Sequence, residues 1–272
     1  MKKKGSISLI MVILSSALVL STFGFPAVSL PASYAATCSP AGNTGLNASI
    51  IAVSNHVYSG VVSAVGCDIG IYVGANITGV TITNATITGA NDHAVLAQDT
   101  TNVTVSFSTV TGNGLNPHTC ASGQHTNCIN EDKAVQFVGV SGSSILNNNV
   151  SYNQADGGIG IADDGVVDAA APAAGSVHYT SSNDVIANNV IQYNANGCGI
   201  VISGYNNGTA TVNIVAKNNT VFGNSIPKNP PHGPPAIGQI VLAADVPGSI
   251  LTGTVDNIFG IVHSVNANFA CY

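Results

Sequence analysis

The sequence predicts a single-domain, all-β solenoid of about six or seven coils, and three observations support this fold class. First, four aspartates stand directly before short apolar strands at successive spacings of 24, 40 and 24 residues: Asp68, Asp92, Asp132 and Asp156. Second, β-branched segments punctuated by glycine and asparagine recur between these strands. Third, the chain beyond its amino terminus has no helical period and no capping box. A fixed period of roughly 20 to 50 residues is typical of repeat architectures.

The amino terminus has the pattern of an export signal. Three lysines at 2–4 precede a mostly apolar stretch over 7–25, and the small residues of 33–36 resemble a cleavage site. We therefore expect residues 1–36 to be a signal peptide and residues 37–272 to be a secreted, extracellular domain. The alternative is an uncleaved anchor, because the apolar stretch is nearly long enough to span a bilayer. Only in that case would the protein contact a membrane.

The charge of the chain excludes one class of partner. Removing the three lysines of the signal takes the net charge from −6 to −9, and leaves Lys133, Lys217 and Lys228 with no arginine. Charged residues make up 7% of the chain, against roughly 25% in ordinary globular domains. Because binding nucleic acid requires a cationic surface, we expect no nucleic-acid partner. The shortage of positively charged residues also disfavours an acidic polymer as a partner, unless a cation bridges the polymer to the protein.

All six cysteines lie beyond the signal, and an even number of cysteines in an exported chain is typical of disulfides. Of the possible connectivities we expect Cys38–Cys67, Cys120–Cys128 and Cys198–Cys271. The region of the Cys120–Cys128 pair also has the spacing of a zinc site, in which Cys120 and Cys128 would bind the metal together with His118 and His125. An oxidising compartment favours the disulfides.

A second set of strands completes each coil. Each strand of this set either alternates polar and apolar residues or is rich in β-branched residues. The segments are 80–87, 103–110, 145–150, 185–191 and 214–221. Stacked coils about 4.8 Å apart would bury their inward apolar side chains in one continuous core. Four asparagines follow three residues after these segments: Asn113, Asn153, Asn194 and Asn224. This column predicts a structural ladder, in which stacked amides bond one another and the backbone.

The repeated Asn-Asn-x-Val and Gly-Ile-x-Ile elements resemble those of the right-handed parallel β-helix proteins, the pectin-lyase-like superfamily. The resemblance covers most of residues 45–265. It implies a right-handed parallel β-helix. Members of that superfamily include polysaccharide lyases, glycoside hydrolases, uronan epimerases, phage tailspikes and non-enzymatic surface proteins. The resemblance therefore implies a fold and does not by itself imply an activity.

Strand alternation predicts which side chains face the core. In the strands after the aspartates, the apolar residues of one parity are expected to point inward: Ile71, Val73, Val95, Ala97, Val135, Phe137, Ile159, Ile161, Ile200, Ile202, Ile240 and Leu242. The aspartates have the opposite parity and are expected to face outward. The next outward column contains only small residues: Gly70, Ala94, Ala134, Gly158 and Gly199. They predict a flat floor for substrate binding, or alternatively a tight coil that only small residues fit.

Three inserts flank the same strands, near 116–131, 163–180 and 225–236. Long connections in a compact repeat protein commonly carry function, and solenoids often bind along an extended face. We therefore predict a carbohydrate-binding groove whose partner is a polysaccharide or a cell-surface glycan. Because the chain has no tryptophan, tyrosines would have to stack on the sugar, and Tyr72 is expected in the groove. The other candidates are Tyr152, Tyr179, Tyr193 and Tyr205. We expect a monomer.

The aspartate column concentrates negative charge on one face. Two carboxylates about 5 Å apart repel by about 1 kcal/mol in water, and by about 3 to 4 kcal/mol at an effective dielectric constant near 20. Orientation into solvent, shared protons, a nearby cation such as Lys133 or His93, or bound Ca²⁺ would each relieve this repulsion. The expected calcium ligands are Asp92, Glu131, Asp132 and Asp156. We expect no other cofactor.

Two catalytic chemistries fit these residues. Asp132 with Asp156, or alternatively Asp163 with Asp164, are candidates for the general acid and base of a glycoside hydrolase. Lyase and epimerase relatives use a lysine or arginine as base, so Lys133 is the corresponding candidate here, with His93 nearby. Strand parity places Lys133 at an inward corner, which favours a counter-ion role. The alternative is a non-catalytic extracellular surface, matrix or adhesion protein, with calcium as a stabilising ion.

Overall fold

The structure is a computed structural model of the chain. It describes residues 33–34, 37–42, 44–116, 133–154, 157–163, 180–195, 197–204, 210–224, 240–244, 250–256 and 262–266. The chain divides into two compact units, Met1–Pro31 and Ala32–Tyr272, and every described residue belongs to the second unit. The expected signal peptide therefore lies outside the described residues except for Ser33 and Tyr34. No helix in the described ranges is long and apolar enough to cross a membrane.

The described residues form β-strands joined by turns, and they contain no helix. The strands are β1 (Ser33–Tyr34), β2 (Ser39–Pro40), β3 (Asn47–Ile51), β4 (Val57–Ser63), β5 (Ile69–Val73), β6 (Thr81–Thr88), β7 (His93–Gln98), β8 (Thr104–Ser106), β9 (Thr109–Thr111), β10 (Val135–Val138), β11 (Ser144–Leu146), β12 (Asn149–Ser151), β13 (Ile159–Ala162), β14 (Ser181–Ser182), β15 (Val185–Ala187), β16 (Val190–Gln192), β17 (Ile200–Gly204), β18 (Ala210–Lys217), β19 (Thr220–Phe222), β20 (Ile240–Ala244), β21 (Ile250–Asp256) and β22 (Val262–Asn266).

These strands stack into two sheets. The larger, the A sheet, contains 13 strands, and the B sheet contains nine in the order β2-β3-β5-β7-β10-β13-β17-β20-β22. Neighbouring strands of the B sheet come from successive coils and run parallel, apart from the antiparallel pair β2 and β3. The fold is therefore a parallel β-helix, as predicted. From β3 to β22 the B sheet marks seven coils and the start of an eighth.

The predicted inward parity is confirmed. The register pairs Ile71 with Val95, Val95 with Val135, and Val135 with Ile159. The main core cluster contains these residues and all the other predicted inward residues except Leu242, which is half-buried. Burying each such aliphatic side chain contributes about 1.5 to 3 kcal/mol. The repeated column is therefore the dominant source of the stability of the stack.

The predicted asparagine ladder is also confirmed. The Asn113 side-chain amide donates to Asn153 Oδ1 at 2.9 Å, and the same bond continues from Asn153 to Asn194 and from Asn194 to Asn224, at 2.8 Å each. Each of these side-chain amides also donates to a backbone carbonyl. The ladder thus satisfies buried polar groups at a turn that recurs in successive coils.

A second asparagine ladder was not predicted. Asn148 donates to Asn189 Oδ1 at 3.0 Å, and Asn189 donates to Asn219 Oδ1 at 2.9 Å. Each residue is the second of an Asn-Asn pair, and the first residue of each pair, such as Asn188 with a φ of 58°, has a left-handed backbone. The pairs therefore combine a turn residue with a ladder residue, because asparagine tolerates the left-handed region and its amide can bond locally.

The amino-terminal part of the domain is tied to the second coil. Cys38 and Cys67 form the expected disulfide, with Cα atoms 5.5 Å apart. Cys198 is also disulfide-bonded, and its partner lies outside the described residues. The expected partner Cys271, the expected Cys120–Cys128 pair and the alternative zinc ligands His118 and His125 likewise lie outside them.

Candidate functional site

The outer face of the B sheet carries a row of side chains that is separate from the main core. The register aligns Tyr72 with Leu96, Leu96 with Gln136, Gln136 with Gly160, and Gly160 with Val201. Tyr72 and Leu96 belong to a second hydrophobic cluster. Within this row, Gln136 therefore lies between Leu96 on one side and Gly160 and Val201 on the other.

Tyr72 closes one end of this row. Its side chain is 5% exposed and packs with Ala41 and Leu46 of the amino-terminal segment, and its hydroxyl donates to Gln98 Oε1 at 3.2 Å. Burial, and secondarily the negative charge of Asp99, raise the pKa of Tyr72 to about 12. The ring that was expected to contact a sugar is therefore covered by the amino-terminal segment in this structure.

Gln136 is the unusual member of the row. Its side chain is 7% exposed, and within the described structure its Oε1 atom has no hydrogen-bond partner. A Cβ atom added to Gly160 would lie 2.4 Å from this oxygen and 2.7 Å from Lys133 Cγ. The amide and the lysine stem therefore converge above the glycine. An unsatisfied buried carbonyl costs about 1 to 3 kcal/mol, so packing alone does not favour this arrangement.

The Lys133 stem lies beside this amide, and His93 contacts the backbone of Lys133; we call His93, Lys133 and Gln136 the polar cluster. Lys133 is 3% exposed and His93 is 1% exposed. His93 Nδ1 lies 2.8 Å from the backbone oxygen of Lys133. Because a carbonyl oxygen only accepts, Nδ1 carries the proton, and Nε2 is the accepting nitrogen of the neutral ring. The neutral ring therefore has a fixed tautomer.

The inward corner expected for Lys133 is wrong. Its stem lies over Gly160 beside the Gln136 amide, and Gln136 is aligned with Leu96 on the outer face. The stem of Lys133 therefore lies on the outer side of the B sheet. In this position Lys133 is a candidate partner for a ligand carboxylate or hydroxyl.

The column of small residues has the opposite orientation to the one expected. It consists of Gly70, Ala94, Ala134, Gly158 and Gly199. Ala94 and Ala134 are fully buried in the main core. A Cβ atom added to Gly70 would lie 2.7 Å from Ile87 Cγ2, and one added to Gly158 would lie 2.5 Å from Ile191 Cγ2. These residues line the inside of a tight coil, so the prediction that they form an outer floor is wrong.

Strand alternation fails here because the chain bends as it enters the B sheet. The N–H groups of Ala94 and Val95 both donate to the oxygen of Ala134, at 2.9 and 3.1 Å. Two successive residues can therefore face the core, whereas the period of two holds only within a regular strand.

The two described aspartates of the column are buried, so they do not extend into solvent. Asp68 is 9% exposed and Asp92 is 0% exposed. Asp68 accepts from the Asn47 N–H at 2.9 Å and from the Asn91 side-chain amide at 3.2 Å. Hydrogen bonds of this kind stabilise a carboxylate. They give Asp68 a structural role at the corner that precedes the B sheet.

The other predicted site residues lie outside the described residues: Glu131, Asp132 and Asp156. The three expected inserts also lie outside them, apart from residues 116, 163 and 180. Within the described ranges, no group of three or more histidine, cysteine, aspartate and glutamate side chains is placed to hold a metal ion. The calcium site and the acid–base pair remain predictions.

Sequence reasoning missed Gln136, although the signal was present. Gln136 stands between Val135 and Phe137, which were both expected to face the core. The same alternation directs Gln136 to the outer face. A polar residue aligned with Leu96 and Val201 in a sheet otherwise rich in aliphatic residues is the pattern that marks it.

A family comparison agrees with this architecture. A family model described as "Right handed beta helix region" matches residues 67–241. No curated protein matches the chain. Among solved structures, an alginate lyase from Paenibacillus sp. is 14% identical with a TM-score of 0.43, over 79% of this chain and 78% of that one. The A-module of a mannuronan C-5 epimerase from Azotobacter vinelandii is 14% identical with a TM-score of 0.37, over 77% of this chain and 57% of that one.

Proposed function

The chain belongs to the right-handed β-helix family, and from this premise we propose that it is a secreted protein that binds a polysaccharide on the outer face of the B sheet. The polar cluster is the centre of the proposed site. Secretion is supported by the signal-like sequence of residues 1–36 and by the Cys38–Cys67 disulfide.

The unsatisfied oxygen of Gln136 carries the proposal. A face used only for packing would favour an apolar residue at this position, like the aligned Leu96 and Val201. A sugar hydroxyl that donates to Gln136 Oε1 would remove the cost of the buried carbonyl. The Lys133 ammonium would bind a second hydroxyl or a uronate carboxylate. Because the cluster is buried, each bond to the ligand would form away from water.

In the enzymatic form of this proposal, the protein cleaves or isomerises the bound polysaccharide. Asp132 and Asp156 would act as general acid and base in a hydrolase, while Lys133 and His93 would neutralise a carboxylate and transfer a proton in a lyase or an epimerase. In the second form, the protein is a non-catalytic extracellular surface, matrix or adhesion protein. The burial and hydrogen bonding of Asp68 favour the second form, because they assign at least one aspartate of the column to structure.

A single substitution separates the binding role of Gln136 from its structural role. Replacing Gln136 with methionine keeps the length of the side chain and removes the unsatisfied carbonyl. We therefore expect Gln136→Met to raise the free energy of unfolding by about 1 kcal/mol and to weaken polysaccharide binding by about tenfold. Urea denaturation and affinity electrophoresis in gels containing neutral or uronic-acid polysaccharides measure the two effects.

The matched control is Gln154→Met, which changes an exposed glutamine after β12. Unchanged binding by Gln136→Met would contradict the proposed site. The same polysaccharides, incubated with the protein with and without Ca²⁺, report catalysis as new reducing ends, as unsaturated products or as changed sugar stereochemistry. Binding without any of these products would identify the non-catalytic form.

A further inference from the structure

An exposed pair of aromatic rings lies on the A sheet, at the turn that follows β12 and β16. Tyr152 and Tyr193 are 59% and 46% exposed, and their rings stack with centroids 5.3 Å apart and planes inclined by 25°. Phe222 packs edge-on against Tyr193, with centroids 5.4 Å apart. We call Tyr152 and Tyr193 the aromatic platform. Neither residue belongs to the B sheet or to the polar cluster.

The backbone at this turn favours glycine, yet two coils place tyrosine there. The aligned residues of other coils are Gly89, Gly112 and Gly223, with φ values of 87°, 64° and 64°. Tyr152 and Tyr193 adopt φ values of 56° and 54°. A left-handed conformation costs a bulky residue about 1 kcal/mol or more. Because the rings remain largely exposed, their burial on folding offsets little of this cost.

Within the described part of the chain, one face of the platform is open. The preceding coil has Gly112 at this position, and a Cβ atom added there would approach only Thr88 Oγ1, at 3.2 Å, within 4 Å. On the other side the platform is closed, because a Cβ atom on Gly223 would lie 2.6 Å from the Tyr193 ring. A ligand ring can therefore stack on Tyr152 only from the side of Gly112.

The groups around this open face are polar and uncharged. Among the described residues on the Gly112 side, Thr88 and Thr111 are half-buried at the ends of β6 and β9, next to the turn. Gln192 is half-buried at the end of β16, on the Tyr193 side. An aromatic face attracts the weakly positive C–H groups of a saturated ring, while hydroxyl and amide groups bond to hydroxyls. Two rings expose far less than the roughly 1,000 Å² of a stable protein interface. A single sugar ring matches both their size and their surroundings.

We propose that the aromatic platform is a second carbohydrate-binding site, which takes a hexopyranose unit stacked on Tyr152 above Gly112. The site does not depend on the polar cluster of the B sheet. It would let the protein hold a polysaccharide on the A sheet whether or not the B sheet carries out catalysis.

The test compares two exposed aromatic residues with the same backbone conformation. Phe107 is 61% exposed with a φ of 49°, and the aligned position of the next coil is Asn147, with a φ of 56°. Asparagine tolerates this conformation, so Tyr152→Asn and Phe107→Asn should both fold with melting temperatures no lower than that of the wild type. Each variant loses one exposed ring.

The probes are cellohexaose, a neutral oligosaccharide, and hexagalacturonate, an acidic one. Because the chain has no tryptophan, ultraviolet difference spectra report tyrosine directly during the titration. We expect the wild type to bind at least one probe with a tyrosine difference signal, Tyr152→Asn to bind about tenfold more weakly, and Phe107→Asn to bind like the wild type. The probe that binds shows whether the sugar is neutral or acidic.

Three results would overturn the proposal: no binding of either probe, equal binding by Tyr152→Asn and the wild type, or an equal loss in Phe107→Asn. Gln136→Met separates this site from the B-sheet site, because it should leave the tyrosine difference signal unchanged. Loss of the signal in Gln136→Met together with its retention in Tyr152→Asn would assign the sugar to the B sheet instead.

Discussion

At the scale of single residues, Asp184 is a buried acid with one partner. Its side chain is fully buried, Oδ1 accepts from the Ser143 N–H at 2.8 Å, and Oδ2 has no hydrogen-bond partner in the described structure. Burial raises the pKa of Asp184 to about 8, although the Ser143 hydrogen bond acts in the opposite direction. The folded protein therefore holds a proton on Asp184 at neutral pH.

This proton makes stability depend on pH. Below about pH 4 both the folded and the unfolded state hold the proton, and the raised pKa has no effect. Between about pH 4 and pH 8 only the unfolded state ionises, so the free energy of unfolding falls by up to about 1.4 kcal/mol per pH unit and then levels off. Asp184→Asn keeps the Oδ1 acceptor and cannot ionise. We therefore expect Asp184→Asn to remove this contribution, as measured by urea denaturation at about pH 5 and about pH 8. Parallel pH profiles for the two proteins would contradict this expectation.

At the scale of elements, the strands of the B sheet could be predicted because their side chains alternate, but the bends could not. Ile71 and Phe137 lie where alternation placed them, while Ala94 does not, because it belongs to the main core. The difference is physical: a regular strand has a period of two, whereas a bend can turn two successive residues inward. The candidate site was missed for a related reason, since Gln136 differs from its neighbours only in being polar.

The second asparagine ladder is the element whose energetic weight is easiest to measure. Asn189 accepts from the backbone N–H and the side chain of Asn148, and donates to the Ile145 oxygen and to Asn219. Asn189→Ala removes these four buried hydrogen bonds, so we expect the free energy of unfolding to fall by about 3 kcal/mol or more. Denaturation in urea measures the change. The control is Asn188→Gly at the adjacent exposed turn, where glycine accepts the left-handed backbone and we expect a change within about 0.5 kcal/mol. Equal effects of the two substitutions would show that the ladder adds nothing.

At the scale of the whole molecule, a stack of coils exposes the open edge of its first coil unless another segment protects it. The segment after Cys38 provides part of this protection, because β2 pairs antiparallel with β3 and Ala41 and Leu46 cover Tyr72. The Cys38–Cys67 disulfide ties this segment to the second coil across 29 residues of sequence. Closing a loop of that length contributes about 3 to 4 kcal/mol through the unfolded state. The disulfide therefore links the stability of the chain to the burial of Tyr72.

Replacing both Cys38 and Cys67 with alanine tests this link. We expect the melting temperature to fall, and the high pKa of Tyr72, about 12 in the intact protein, to move towards the ordinary value near 10 as the segment loosens and water reaches the ring. Spectrophotometric titration of tyrosine measures this shift, and Tyr72→Phe identifies the ring that titrates. A lower melting temperature with an unchanged tyrosine titration would show that the disulfide stabilises the fold without holding the segment over Tyr72. In that case the β2–β3 pairing and the contacts of Ala41 and Leu46 would be sufficient to keep this end of the B sheet covered.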